Sequence, residues 1–230
     1  MKTTHYLSLL ISILFIQTLS AQNMNEKLIS NIEELTASFN LIPTTRKSEL
    51  RELSISIKED LANDNQSRLI FVCTHNSRRS QLSEIWMRTA AEYFGINGIQ
   101  SYSGGTESTA FNSRMVDAVK RFGFELEILE KGDNTVYQQV MSGQSFGPKM
   151  FSKKYDDTHN PNSNFIAVMV CSDADQKCPF VPGAQSRIAL PYLDPKAYDN
   201  TPDEQRAYDE KVIEIGREIL YVLSLLKTDK

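Results

Sequence analysis

Apolar and polar positions divide the chain into stretches with different periods. Tyr6 to Leu19 is a mostly apolar run of 14 residues, preceded by Lys2 and followed by the small pair Ser20-Ala21. Leu28, Ile32, Leu35 and Phe39 then recur at helical spacing, as do Leu50, Leu53, Ile57 and Leu61, with Pro43 between the two sets. This spacing predicts two amphipathic helices. The polar run Asn63-Asp64-Asn65-Gln66-Ser67 reads as a linker.

From Arg68 the period changes. Leu69-Ile70-Phe71-Val72 is a short continuous apolar run, which suits a parallel strand buried on both faces. Leu82, Ile85, Trp86, Met87, Ala90 and Phe94 give a helix with an inner face, closing near Gly95. Ile99 to Ser103 predicts a second strand ending at Gly104-Gly105, and Asn112 to Phe122 a helix. Between Lys131 and Asp157 only Thr135 to Met141 carries a pattern, that of a hairpin arm. Phe165 to Val170 is the clearest later strand and runs directly into Cys171. Asp203 to Leu225 is a long final helix striped by Tyr208, Val212, Ile215, Ile219 and Val222.

Strands alternating with helices predict an α/β fold of three layers around a central parallel sheet, preceded by a helical N-terminal extension. The expected division is a signal peptide over 1–21, the extension over 22–66 and the α/β domain over 67–230. The leader reading rests on the positive Lys2, the apolar run and the small-residue cleavage site. That run is shorter than the ~20 residues a spanning helix needs. It predicts export, to a periplasm, with no membrane attachment after cleavage.

Composition narrows the function. With 40% hydrophobic and 23% charged residues in 230, the chain can bury a real core. A net charge of −4 without a basic block gives no footprint for nucleic acid. Three cysteines are too few for a disulfide framework, and the odd number leaves a thiol to explain. His5 and His159 lack partners at metal-ligand spacing, so no metal or other cofactor is assigned.

The candidate chemistry begins at Cys73, at the carboxyl end of the first strand, where parallel sheets place their ligands. Cys73-Thr74-His75-Asn76-Ser77-Arg78-Arg79-Ser80 leads from this strand into a helix. A loop of that length can curl its backbone N–H groups inward to make an anion nest, and the helix N-terminus adds partial positive charge. Arg79 adds a planar fork of donors for a tetrahedral oxyanion. The same field favours the thiolate of Cys73, to which the Ser80 hydroxyl can donate. Asn76 suits a left-handed turn that most residues resist.

Two further features fall near the same sheet edge. Cys171 follows the later strand, and Cys178 comes after six intervening residues. If the strands are parallel, Cys171 can reach Cys73 and Cys178 can take over the disulfide; a structural Cys171–Cys178 bridge is the alternative. Asp194, in Leu193-Asp194-Pro195, is a candidate general acid, although Asp-Pro also makes an ordinary turn.

FVCTHNSRRSQLSE (71–84) resembles the phosphate-binding loop of the low-molecular-weight protein tyrosine phosphatase family. SGGTESTAFNSRMVDAVKRFGF (103–124), VMVCSDADQKCPFVPG (168–183) and LDPK (193–196) look more like the thioredoxin-coupled arsenate reductases built on that fold. The resemblance covers about residues 68 to 227 and implies the low-molecular-weight phosphatase fold. It implies Cys73 as nucleophile and Thr74 to Ser80 as the oxyanion-binding loop. In the reductase version arsenate forms an adduct on Cys73, Cys171 attacks Cys73 to release arsenite, and Cys178 attacks Cys171. A thioredoxin-like protein then reduces the Cys171–Cys178 disulfide. In the phosphatase version a phosphate monoester gives a phosphocysteine on Cys73, with Asp194 protonating the leaving oxygen. A module that only binds an oxyanion or a redox partner is the third reading. Three departures stand out: His75 replaces a usual glycine, Arg78 a usual cysteine or apolar residue, and Lys196-Ala197 the aromatic flank of the phosphatases.

Overall fold

The computed structural model describes residues 24–178 and 180–227. The expected leader, 1–21, lies outside the described residues. In chain order the elements are α1 (Glu26–Ala37), α2 (Thr44–Asp64), β1 (Ser67–Cys73), α3 (Arg79–Phe94), β2 (Ile99–Gly105) and α4 (Ser113–Phe122). They continue with β3 (Glu125–Glu130), β4 (Val136–Met141), β5 (Gln144–Met150), β6 (Phe165–Met169), α5 (Ser172–Lys177), β7 (Ala184–Ala189) and α6 (Glu204–Ser224).

The central sheet has the order β2-β1-β6-β7, and all three pairings are parallel. Its middle strands are buried along their apolar runs, Leu69 to Val72 and Phe165 to Met169, as continuous hydrophobicity requires. Helix α3 packs across β1 and β2, while α6 packs on α3 and α4 and also on α1 and α2. Trp86, fully buried, sits at that helix junction. Its indole N–H donates to Val212 O at 3.0 Å, and Gly216 leaves room for its ring.

The helical extension is present, and it shares the core of the sheet. Leu28, Ile32 and Leu35 of α1 and Leu50, Leu53 and Ile57 of α2 are buried in the same cluster as β1 and α6. Each such side chain contributes about 1.5–3 kcal/mol on burial. Asn25 caps α1 by accepting from Leu28 N at 2.9 Å, and its amide donates to Gly123 O at 2.8 Å, tying the extension to the end of α4. The expected linker at 63–67 is instead a tight join. Asn63 and Asp64 complete α2, Asn65 adopts the left-handed conformation at φ 54°, and Ser67 already opens β1. A polar αL residue ends a helix as sharply as a linker would, without the length.

The hairpin arm at 135–141 is β4, but it belongs to a separate three-stranded antiparallel sheet, β3-β4-β5, that the parallel reading did not contain. Ser142 and Gly143, both at positive φ (49° and 72°), make the two-residue turn between β4 and β5. The chain leaving β5 returns beneath the Cys73 loop, which gives this excursion its importance for the site.

Candidate active site

Register places the first two thiols. Cys73 lies abreast of Gly105 at the end of β1. The amide of Val170 donates to Val72 O at 2.9 Å, so Cys171 emerges from the neighbouring strand beside the start of the loop. Cys73 and Cys171 are both buried, and all three cysteines are free thiols.

The loop is held from outside by its carbonyls. Cys73 O accepts from Thr106 N (3.1 Å), Thr74 O from Glu107 N (2.8 Å) and Ser77 O from Asn112 N (2.9 Å). His75 O accepts from the Ser152 hydroxyl at 2.9 Å, and Asn76 O from the Gln81 amide at 3.3 Å. A trans peptide puts each N–H opposite its carbonyl. Five consecutive outward carbonyls therefore turn the following amides, those of Thr74 to Arg78, toward the interior of the cup. Gly105 is required beside it, because a Cβ there would lie 2.1 Å from Glu107 O and 2.7 Å from Thr74 O.

Asn76 takes the left-handed conformation expected of it, at φ 46°. Its Oδ1 accepts from the Lys153 amide at 2.9 Å, and its Nδ2 donates to Ser80 Oγ at 2.8 Å. With that lone pair engaged, the Ser80 hydroxyl hydrogen is free to point at Cys73 Sγ, 3.0 Å away. The two bonds run in one direction and end on the sulfur.

The cleft above is narrow and is lined by Cys73, His75, Ser77, Arg78, Arg79 and Asp194. His75 stands half-exposed at its edge, with Nε2 3.7 Å from Glu107 Oε2. Both arginines are engaged. Arg78 Nε donates to Asp194 Oδ1, and Arg79 Nη2 to Asp194 Oδ2, each at 2.8 Å. Arg79 Nη1 donates to Tyr192 O at 2.8 Å. The Arg79 fork expected to face an oxyanion is thus anchored on the Pro191–Asp194 segment, and its Nε is buried with no partner in the described structure. A buried donor left open beside a nest of amides is suited to an anion's oxygen. Burial pushes the Asp194 carboxyl up, but the Arg79 guanidinium, the Lys196 amide and Arg78 outweigh it and hold it below the ordinary carboxylate range.

The second thiol is close to the cup. Cys171 Sγ lies 3.6 Å from Thr74 Oγ1 and also accepts from Ala174 N at 3.4 Å, capping α5. Cys178 is the C-cap of the same helix and is half-buried. Arg187 of β7 holds this end: Nε donates to Cys178 O at 3.0 Å, and Nη2 to Asp175 O at 2.7 Å and to Asp175 Oδ1 at 2.5 Å.

The structure therefore gathers Cys73, the loop Thr74 to Ser80, Asp194 and Cys171 around one cleft, with Cys178 at the far end of a short helix. Sequence reading missed Gln81, Ser152, the Lys153 amide, the Tyr192 carbonyl and Arg187. Of these only Gln81 lies beside the motif; the rest come from segments 70 or more residues away and carried no local signal.

The family model for low molecular weight phosphotyrosine protein phosphatase matches residues 68–133. The arsenate reductase of Halalkalibacterium halodurans is 29% identical over 156 residues, 67% of this chain and 94% of the relative. An arsenate reductase of Staphylococcus aureus is 30% identical over 115 residues, 50% of this chain and 67% of the relative. Among solved structures, a low molecular weight phosphotyrosine phosphatase from Vibrio cholerae O395 aligns with a TM-score of 0.48 at 14% identity, covering 71% of this chain and 99% of that one. The chain belongs to the family of the arsenate reductases it matches, and its residues 68–133 fit the low molecular weight phosphotyrosine protein phosphatase model.

Proposed function

We propose that the chain is an arsenate reductase that works through a Cys73 thiolate and a Cys171/Cys178 relay. The observation that carries this reading is the second thiol: Cys171 sits one hydrogen bond from the cup loop, at Thr74, and a third thiol closes the helix it opens. A phosphatase has no use for either.

The inward amides and the open Arg79 Nε bind the arsenate oxygens. The Cys73 thiolate attacks arsenic and displaces one oxygen as water, giving a Cys73–S–As(V) adduct. The Cys171 thiolate then attacks Cys73 Sγ. The S–As bond breaks with its electron pair passing to arsenic, which leaves as arsenite, and a Cys73–Cys171 disulfide remains. Cys178 attacks Cys171 Sγ, freeing the Cys73 thiolate and leaving Cys171–Cys178. An external dithiol of thioredoxin type reduces that bond, and the half-buried Cys178 is the sulfur it can approach. Cys171 and Cys178 bracket six helical residues, a rise of about 10 Å over seven steps. A disulfide needs Cα atoms within about 7 Å, so α5 unravels when the pair closes. Reading residues 1–21 as a leader places this chemistry outside the cytoplasm, with a periplasmic thioredoxin-like donor.

The test is a pair of assays on one preparation: arsenate-dependent oxidation of a dithiol, and hydrolysis of an aryl phosphate. Arsenate turnover that is lost in Cys73→Ser supports the proposal, and absence of arsenate turnover in the intact chain sinks it.

Asp194 at the cleft supports a second reading, phosphate-monoester hydrolysis through a Cys73 phosphocysteine. Its clamp between two arginines keeps the carboxyl ionised, which opposes the acid role at rest. Asp194→Asn is expected to change arsenate turnover by less than about fivefold. A general acid would show itself by a loss of about 10²–10⁴ in aryl phosphate hydrolysis in the same variant. A loss of that size there, with no arsenate turnover in the intact chain, would make the phosphatase the working reading.

A further inference from the structure

We propose that Arg46, in the helical extension ahead of the matched residues 68–133, is a positioning residue for the oxyanion cup. The inference rests on the oxyanion-binding reading of that cup. Arg46 does not line the cleft, so it acts through Tyr192 and Arg79.

The path is short. Arg79, the arginine with the open Nε, is fixed at two points, the Asp194 carboxylate and the Tyr192 carbonyl. Tyr192 is in turn fixed on three sides. Its amide donates to Val170 O at 3.1 Å, continuing the sheet edge. The Glu218 carboxylate of α6 interacts electrostatically with its hydroxyl. Its ring lies beneath the Arg46 guanidinium, 4.8 Å from the carbon to the ring centroid. Arg46 also binds the residues on either side of this ring. Its Nε and Nη2 both lie 2.9 Å from Glu218 Oε2, and Nη2 lies 3.5 Å from Pro191 O. Nη1 donates to Glu49 of its own helix at 2.8 Å, which fixes the guanidinium plane.

One planar cation therefore stacks on the tyrosine, pairs with the Glu218 carboxylate and touches the carbonyl before the ring. The segment Pro191–Asp194 carries both anchors of Arg79, so a shift there moves the donor meant for the anion. Misplacement by about 1 Å is enough to weaken the contact that the open Nε would make. The extension is thereby part of the working site.

Inorganic phosphate is the probe, titrated calorimetrically into the full chain, alongside arsenate kinetics and thermal unfolding. Arg46→Met is expected to weaken phosphate binding about 5–10-fold and to raise KM for arsenate by a similar factor, with kcat changed less than about threefold. Arg46→Lys keeps the charge on Glu218 without the stacked plane and should fall between the two. The double variant Arg46→Met/Glu218→Gln removes the unpaired buried acid. It should recover melting temperature lost in the single variant and leave phosphate binding weak.

Phosphate affinity within twofold of the parent in Arg46→Met, or in Arg46→Lys if the methionine variant does not fold, overturns the inference while the cup reading stands. A parent chain that binds neither phosphate nor arsenate overturns both.

Discussion

Cys171→Ser and Cys178→Ser are each expected to end multiple turnover of arsenate, with steady-state dithiol oxidation falling on the order of a thousandfold or more. The two variants stop at different points. Without Cys171 the adduct on Cys73 has no second sulfur to release arsenite. Without Cys178 the chemistry runs once and halts at a Cys73–Cys171 disulfide, which mass spectrometry of the quenched protein can identify. Serine is the right replacement at 171, because a hydroxyl keeps the contact with Thr74 and caps α5 at Ala174 N better than sulfur does. The loss is then chemical and not structural. Any aryl phosphate hydrolysis in the parent should persist in both variants within about threefold, since neither sulfur contacts the phosphocysteine route. Sustained arsenate turnover in either serine variant would remove the relay from the mechanism.

Asn76→Ala is expected to cost about 3 kcal/mol of stability and most of the activity. The backbone there sits at φ 46°, where alanine is strained, and the side chain satisfies the buried Lys153 amide and orients Ser80. For a chain of this size the loss corresponds to a fall in melting temperature of roughly 6–12 °C. Asn76→Gly separates the two causes. Glycine relieves the left-handed strain and should recover about 1 kcal/mol, but it cannot restore the bond to Ser80. Its activity should remain as low as that of the alanine variant. Melting temperatures unchanged within a degree, with full activity, would show that the loop does not depend on this side chain.

The legible parts of this molecule were those written in adjacent residues. The apolar runs at 69–72 and 165–170 give buried parallel strands because nothing but a covered sheet accepts them. The cup was legible because its nucleophile, nest and left-handed Asn76 lie within eight consecutive residues that lead into a helix. β3 was not, because Glu125, Glu127 and Glu130 face solvent on an edge strand, so its composition resembles a loop. The supports of the site were also hidden. Asp194 meets Arg78 across 116 residues, Ser152 meets His75 across 77, and Arg46 meets Glu218 across 172. Such pairs leave no periodic trace in one sequence, and only the folded chain brings them into contact. The two helices of the extension are legible in the spacing of Leu28, Ile32 and Leu35 and of Leu50, Leu53 and Ile57. That it would enter the same core follows from packing with α6, a partner more than 140 residues on.

Arg187 adds a thermodynamic bias to the sulfur pair. Its three hydrogen bonds reach the carbonyls and the carboxylate of α5 only while that segment stays coiled. In the proposed relay, closing Cys171 on Cys178 uncoils it, so those bonds weigh for the thiol state and against the bridged one. In the relay proposed above, this contribution favours the dithiol over the bridge and eases its resetting by the electron donor.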